Sequence, residues 1–146
     1  MIKSLEEQLE KAINLASIQH YGQKDKSGKP YIFHLIHVMN NVEELDAKVV
    51  AILHDILEDT DMTKNDLLSL GFSEDIVNAI EVLTKPKQQA YIDYIENVNK
   101  HPLARKVKMI DLKHNMDLTR LETITEKDLK RTKKYFKAYK ILNINI

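Results

Sequence analysis

Apolar residues in this chain recur at three- and four-residue intervals and nowhere in the strict alternation of a half-buried strand. That periodicity points to helices throughout. Leu5, Leu9, Ala12, Ile13 and Ala16 share one stripe of a first amphipathic helix that Gly22 ends. Residues 23–30 read as a charged loop punctuated by Gly28 and Pro30. The spacing predicts helices over 32–45 and 47–57. In the second of these, Val49, Val50, Ile52, Leu53, Ile56 and Leu57 leave little polar surface, so it belongs at the centre of the fold. Thr63 is a natural N-cap for a short helix ending at Gly71, and Ser73 opens another that Pro86 stops. Helices over 88–99, 103–121 (with Pro102 at its start) and 125–139 complete the chain. The expectation is an all-α fold: one compact domain over residues 1–146, a bundle of about seven to eight helices.

Composition then removes whole classes of chemistry. The 146 residues suffice for a real core. Basic and acidic side chains number 22 each, so no general excess of positive charge favours nucleic acid, although a local basic pocket for a small anion remains open. Cysteine is absent, which excludes disulfides, thiolate nucleophiles and cysteine-based zinc sites. Gly22, Gly28 and Gly71 are the only glycines, too few and too far apart for a dinucleotide loop, a phosphate loop or a nucleophile elbow. Residues 1–7 carry acids where a secretory leader has its apolar segment, and no apolar run is long enough to span a bilayer. These features lead to the expectation of a cytoplasmic protein with neither a membrane nor a nucleic-acid partner. Oligomeric state stays open.

Two polar residues interrupt apolar stripes. His54 shares a helical face with Val50 and Leu57, and Asp111 falls on the stripe of Val107 and Leu118. A carboxylate on a core-facing stripe is costly unless it is paired, hydrogen-bonded or bound to a metal. Asp55 follows His54 directly, and on a helix the two side chains diverge by about 100°, so a cation near their bisector can meet both. The acids Asp55, Glu58, Asp59 and Asp61 crowd the same stretch, where a cation would relieve their repulsion. Glu58, four residues after His54, falls on its face. Against this stands the plainer reading: a single histidine on an apolar stripe is more often a hydrogen-bonded core residue, and an acidic run is often a solvated loop in which Thr60 and Asp61 cap the next helix. The residues alone leave both open.

The ordered set His34, His54-Asp55 and Asp111 resembles the signature of HD-domain phosphohydrolases, and within them the hydrolase domain of RelA/SpoT-type enzymes and the small alarmone hydrolases. Gly22-Gln23, Lys26-Ser27-Gly28 and Pro30-Tyr31-Ile32 before His34 look like the family's first motif. The run Leu53-His54-Asp55-Ile56-Leu57-Glu58-Asp59-Thr60-Asp61 looks like its second, and Val107-Lys108 before Asp111 with Asn115 after it looks like its last. The resemblance covers roughly residues 10 to 121. It implies an HD-type helical fold and one divalent metal, manganese first, with iron, zinc, nickel or cobalt as alternatives. His34, His54, Asp55 and Asp111 would be the ligands. Glu58 and Asp59 would orient water and handle protons, while Lys24, Lys26 and Asn115 would meet a small phosphorylated nucleotide. The implied reaction is release of pyrophosphate from guanosine-3′,5′-bis(diphosphate). Another nucleotide or phosphorylated metabolite, or a non-catalytic metal-containing nucleotide sensor, are the alternatives.

Three positions depart from the family pattern. Asp25 stands where the family has an arginine that packs on guanine, Asp117 where it has another arginine, and Leu35 where it has proline. Asp25 and Asp117 bear on recognition of the base and its phosphates, and arginine restored at position 25 would be expected to lower KM. His20, His37, His101 and His114 read as surface or core histidines. The basic stretch from Lys127 to Lys140 reads as a solvated face, docked by Tyr135, Phe136 and Tyr139, with a phosphate-attracting rim as the alternative.

Overall fold

From Ala47 to His54 only Lys48 escapes full burial; Val49, Val50, Ala51, Ile52 and Leu53 are wholly shielded. A helix apolar on every side must be surrounded. In a computed structural model, which describes residues 3–144, this is the central helix α3 (Leu45–Leu53). Around it pack α1 (Leu5–Gln19), α2 (Ile32–Asn40), α6 (Glu74–Leu83) and α8 (Pro102–Asn115). The short α4 (Ile56–Asp59) and α5 (Lys64–Ser69) link α3 to α6. Helix α7 (Tyr91–Asn99) lies against α8, and α9 (Glu126–Asn143) covers both. One core runs through all of them. Among the described residues there is no strand; a lone antiparallel bridge joins Lys24 and Pro30, and no helix is long and apolar enough to cross a membrane. The all-α class expected from the periodicity is borne out.

The differences from the expected boundaries have local causes. The predicted helix over 32–45 stops at Asn40, where Lys48 Nζ donates to the carbonyls of Met39 (3.2 Å) and Val42 (2.7 Å). The predicted helix over 47–57 breaks at His54-Asp55. A continuing helix would give the Ala51 carbonyl to the Asp55 N–H; instead it accepts the His54 ring Nδ1–H at 2.6 Å. That break accounts for one helix more than expected: nine α-helical segments among the described residues, plus a 3₁₀ turn at Leu118–Arg120. The 3₁₀ turn replaces the end of the predicted 103–121 helix because the Asp117 carboxylate accepts from the Thr119 backbone N–H (3.1 Å) and hydroxyl. Thr63, not Thr60 or Asp61, caps α5, through a reciprocal pair with Asp66; Thr60 donates back to the Ile56 carbonyl. Gly71 takes φ +97° just past α5, the left-handed conformation expected of a C′ glycine. The last helix runs to Asn143 rather than 139. Tyr135 and Tyr139 dock it as expected, but Phe136 is 52% exposed and does not.

Candidate metal centre and cleft

Three elements far apart in sequence deliver the polar interruptions to one buried place. His34 comes from the first turn of α2, His54 from the end of α3, and Asp111 from the third turn of α8. Their exposures are 1%, 2% and 4%. His34 Nε2 lies 2.8 Å and His54 Nε2 3.3 Å from the same oxygen, Asp111 Oδ1. One ligand atom from each of the three falls within 4.8 Å of the others. Asp55 sits outside this triplet but beside it: its Oδ2 is 3.1 Å from His54 Nε2 and accepts the hydroxyl of Tyr31. The helix break is what turns Asp55 this way, since His54 closes one helix and Asp55 opens the next.

The donor set fits a divalent cation. A carbonyl only accepts, so His54 Nδ1 carries a proton towards Ala51, and Nε2 is the nitrogen left to face the cluster. Two imidazoles and two carboxylates suit manganese, iron or zinc. Without a metal, burial disfavours charge on His54, but Asp55 and Asp111 outweigh it and push its pKa well above the ordinary value. Burial alone would raise Asp111; the Lys108 ammonium 2.9 Å from its Oδ2, then His54, hold it well below the usual carboxylate range. Asn115 Nδ2 donates to Asp111 Oδ1 at 3.1 Å. The cluster is built so that positive charge offsets its carboxylates.

A cleft with two lobes adjoins the cluster. One, about 280 Å³, is lined by His34, Lys24, Lys26, Arg120 and Arg131. The other, about 370 Å³, is lined by Asp55, Glu58, Lys85, Lys108 and Lys134. Asn115 and Tyr135 border both. Thus Lys24, Lys26, Asn115 and Glu58 all reach the cleft. Asp59 lines neither lobe; its backbone carbonyl accepts from Gln23 Nε2 at 3.0 Å. Burial, then Asp55, raises the carboxyl pKa of both Glu58 and Asp59.

The two acids that depart from the family pattern are occupied within their own loops. Asp25 Oδ1 accepts from the Ser27 N–H (2.9 Å), the Ser27 hydroxyl (2.8 Å) and the Lys29 N–H (3.0 Å), and its Oδ2 lies 3.4 Å from the Arg120 guanidinium. Asp117 caps the 3₁₀ turn. Both nonetheless line the first lobe, as does Asp128. Arg120 also donates to the His114 carbonyl at 2.8 Å. Arg120 is a cleft residue that sequence reasoning missed; Arg131 and Lys134, read first as a solvated face and alternatively as a phosphate-attracting rim, and Tyr135, read as a docking residue, line the cleft as well. Helical spacing on α9 could have found the last three, because Arg131, Lys134 and Tyr135 share a face; nothing local marks Arg120. His114, read as a bland histidine, has its Nδ1 2.7 Å from His34 Nδ1. His37 stacks on it with ring centroids 3.7 Å apart. His101 caps α8, and His20 is buried with Nδ1 2.8 Å from Gln23 Oε1.

No protein-family model matches the sequence. Individual relatives do. The chain is 40% identical over 79 residues, 51% of its length, to a guanosine-3′,5′-bis(diphosphate) 3′-pyrophosphohydrolase of Borreliella burgdorferi, and spans 12% of that protein. It is 35% identical over 103 residues to the protein of the same name in Aquifex aeolicus, covering 67% of this chain and 15% of that one. A GTP pyrophosphokinase of Streptomyces coelicolor matches at 30% over 150 residues, covering 94% of this chain and 17% of the relative. The chain therefore spans less than a fifth of the length of these curated relatives. Among solved structures, a metazoan ortholog of SpoT described as hydrolysing ppGpp shares the fold with a TM-score of 0.74 and 23% identity, over 95% of this chain and 85% of that one. Over nearly its whole length, and on a shared helical fold, the chain is thus similar to the hydrolase domain of RelA/SpoT-type enzymes.

Proposed function

We propose that the chain is a metal-dependent pyrophosphohydrolase that releases pyrophosphate from guanosine-3′,5′-bis(diphosphate). The observation that carries this reading is the meeting of His34, His54 and Asp111, with Asp55 alongside, at a buried point beside a cleft whose lining includes Lys24, Lys26, Arg120 and Arg131 together with Asp25, Asp117 and Asp128. Relatives that bear the name of this activity support it. His34, His54, Asp55 and Asp111 would hold the ion, manganese first among those that suit the donors. Such an ion would supply Lewis acidity to a water and to phosphoryl oxygens. Lys108 keeps Asp111 ionised, and Tyr31 holds Asp55 by its hydroxyl. Glu58, lifted in pKa and on the wall of the second lobe, receives the proton of the attacking water; Asp59, lifted likewise, supports it electrostatically. Lys24, Lys26, Arg120 and Arg131 draw the phosphates into the first lobe, and Tyr135 offers a surface for a base. This chemistry draws on residues of α2, α3, α4, α8 and α9 and the loops between them, in keeping with the single domain expected over 1–146.

A second reading changes the substrate alone, to another nucleotide or phosphorylated metabolite. Asp25 favours it, because a carboxylate paired with Arg120 offers a base a different surface from an arginine. The test is a panel of nucleotides, guanosine tetraphosphate included, given to manganese-loaded protein with phosphate and pyrophosphate release measured separately. Release that chelation abolishes is the expected result. No release from any member would overturn the enzymatic reading and leave a metal-containing sensor.

A further inference from the structure

His114 lies three residues past Asp111 on α8, and the chemistry above gives it no task. Its ring and that of His34 are nearly parallel, 5° apart, with centroids separated by 5.0 Å. Yet their Nδ1 atoms are only 2.7 Å apart. Parallel rings that far apart can bring two nitrogens so close only by meeting edge to edge in one plane. That is the geometry of an N–H···N hydrogen bond. Two bare nitrogens would repel and two N–H groups would clash, so one ring donates and the other accepts.

The far side of His34 decides which. Its Nε2 points into the cluster, 2.8 Å from Asp111 Oδ1. A nitrogen that binds a metal must be bare. If His34 binds through Nε2, its proton sits on Nδ1, and the atom placed to accept it is Nδ1 of His114. His114 can accept only as a neutral imidazole protonated at Nε2. Around this ring, His37 stacks at 3.7 Å and 12°, and Arg120 donates to the His114 backbone carbonyl at 2.8 Å; neither contact touches Nδ1. Metal-bound histidines usually give their outer N–H to a carboxylate, a carbonyl or water. An imidazole acceptor adds no charge to a cluster that already holds two carboxylates.

We propose that His114 is a positioning residue that holds His34 in the Nδ1–H form and so presents a bare Nε2 to the metal. This rests on the metal-centre reading of the cluster. The test uses the whole chain as wild type, His114→Ala, His114→Gln and His37→Ala. Two measurements are made: ¹⁵N–¹H imidazole correlations with zinc as a diamagnetic probe, and manganese affinity by calorimetry. Zinc-loaded wild type should show His34 protonated at Nδ1. His114→Ala should bind manganese about 10–100-fold more weakly, the usual effect of removing such an outer partner. His114→Gln, whose amide oxygen can accept the same proton, should recover most of the loss. His37→Ala, which removes only packing, should lower the melting temperature while keeping manganese affinity.

A His34 protonated at Nε2 in the zinc-loaded wild type would overturn the proposal. So would unchanged affinity in His114→Ala, or a loss in His37→Ala as large as in His114→Ala. If His114→Ala does not fold, the wild-type spectrum decides alone. A wild type that binds neither metal refutes the metal centre itself, and this proposal with it. Metal binding with the wrong tautomer refutes the proposal only.

Discussion

In the roles proposed for them, Glu58 and Asp59 would serve chemistry at the expense of the fold. Burial and the nearby Asp55 raise both carboxyl pKa values, so ionisation is less favourable in the folded chain than in the unfolded one. Their stabilising contribution is present below the ordinary carboxylate range and lost as pH rises through the raised values. Glu58→Gln should therefore raise the melting temperature of metal-free protein at neutral pH, and the gain should vanish on acidification below that range. The same variant, and Asp59→Asn, should keep metal content near wild type while kcat falls about 10²–10⁴-fold. Thermal scans at several pH values, metal analysis and steady-state kinetics check the three parts. Arg120 makes the opposite case: a residue with no local sequence signal that the fold carries to the cleft. Arg120→Ala should raise KM about tenfold or more, with kcat and metal content little changed, the loss expected of a charge-assisted contact worth about 1.5–3 kcal/mol. Asp25→Arg would remove three hydrogen bonds that shape its own turn and the partner of Arg120, so it should raise KM rather than lower it.

Among the elements, α9 links stability to the cleft most directly. Its first turn is set by a reciprocal cap: Asp128 N–H donates to Thr125 Oγ1 at 3.3 Å, and Asp128 Oδ2 accepts from Thr125 N at 2.8 Å. Asp128 also pairs with Arg131, which lines the first lobe. Thr125→Ala should cost about 1 kcal/mol by denaturant unfolding and raise KM more than it lowers kcat. The start of this helix at Thr125 was legible in the sequence; the direction in which Arg131, Lys134 and Tyr135 point was not, because it depends on how α9 lies over α7 and α8. The same division holds elsewhere. Apolar spacing located the helices, and α3 as the centre, because a helix apolar all round has only one place to go. It extended the helix through His54-Asp55, because no spacing rule foresees a ring N–H taking the carbonyl that the next turn needs. That break is also what turns Asp55 towards His54 Nε2, so the error in the element and the geometry of the site have one cause. His114 was discounted for a similar reason: its partner, His34, lies eighty residues away.

For the molecule as a whole, the cluster holds a proton at the place where the proposed cation would bind. With His54 raised in pKa by Asp55 and Asp111 despite burial, its contribution to stability is complete below the free histidine value and lost as pH rises through the folded one. A metal that enters must displace that proton, so apparent metal affinity should rise with pH. The gap in melting temperature between loaded and chelated protein should therefore widen from mildly acidic to mildly alkaline buffer. At a free metal concentration of one hundred times Kd, binding stabilises by about 2.7 kcal/mol. A gap that stays constant across pH would count against a proton-bearing His54 among the ligands. The central claim is that this cluster drives hydrolysis of one particular bond, and product analysis tests it most directly. Manganese-loaded wild type and His54→Ala are incubated with guanosine tetraphosphate, and the products are identified by phosphorus NMR. The account predicts equal amounts of guanosine diphosphate and pyrophosphate from wild type and none from the variant. Orthophosphate as the first product, no turnover by wild type, or equal turnover by His54→Ala would contradict it.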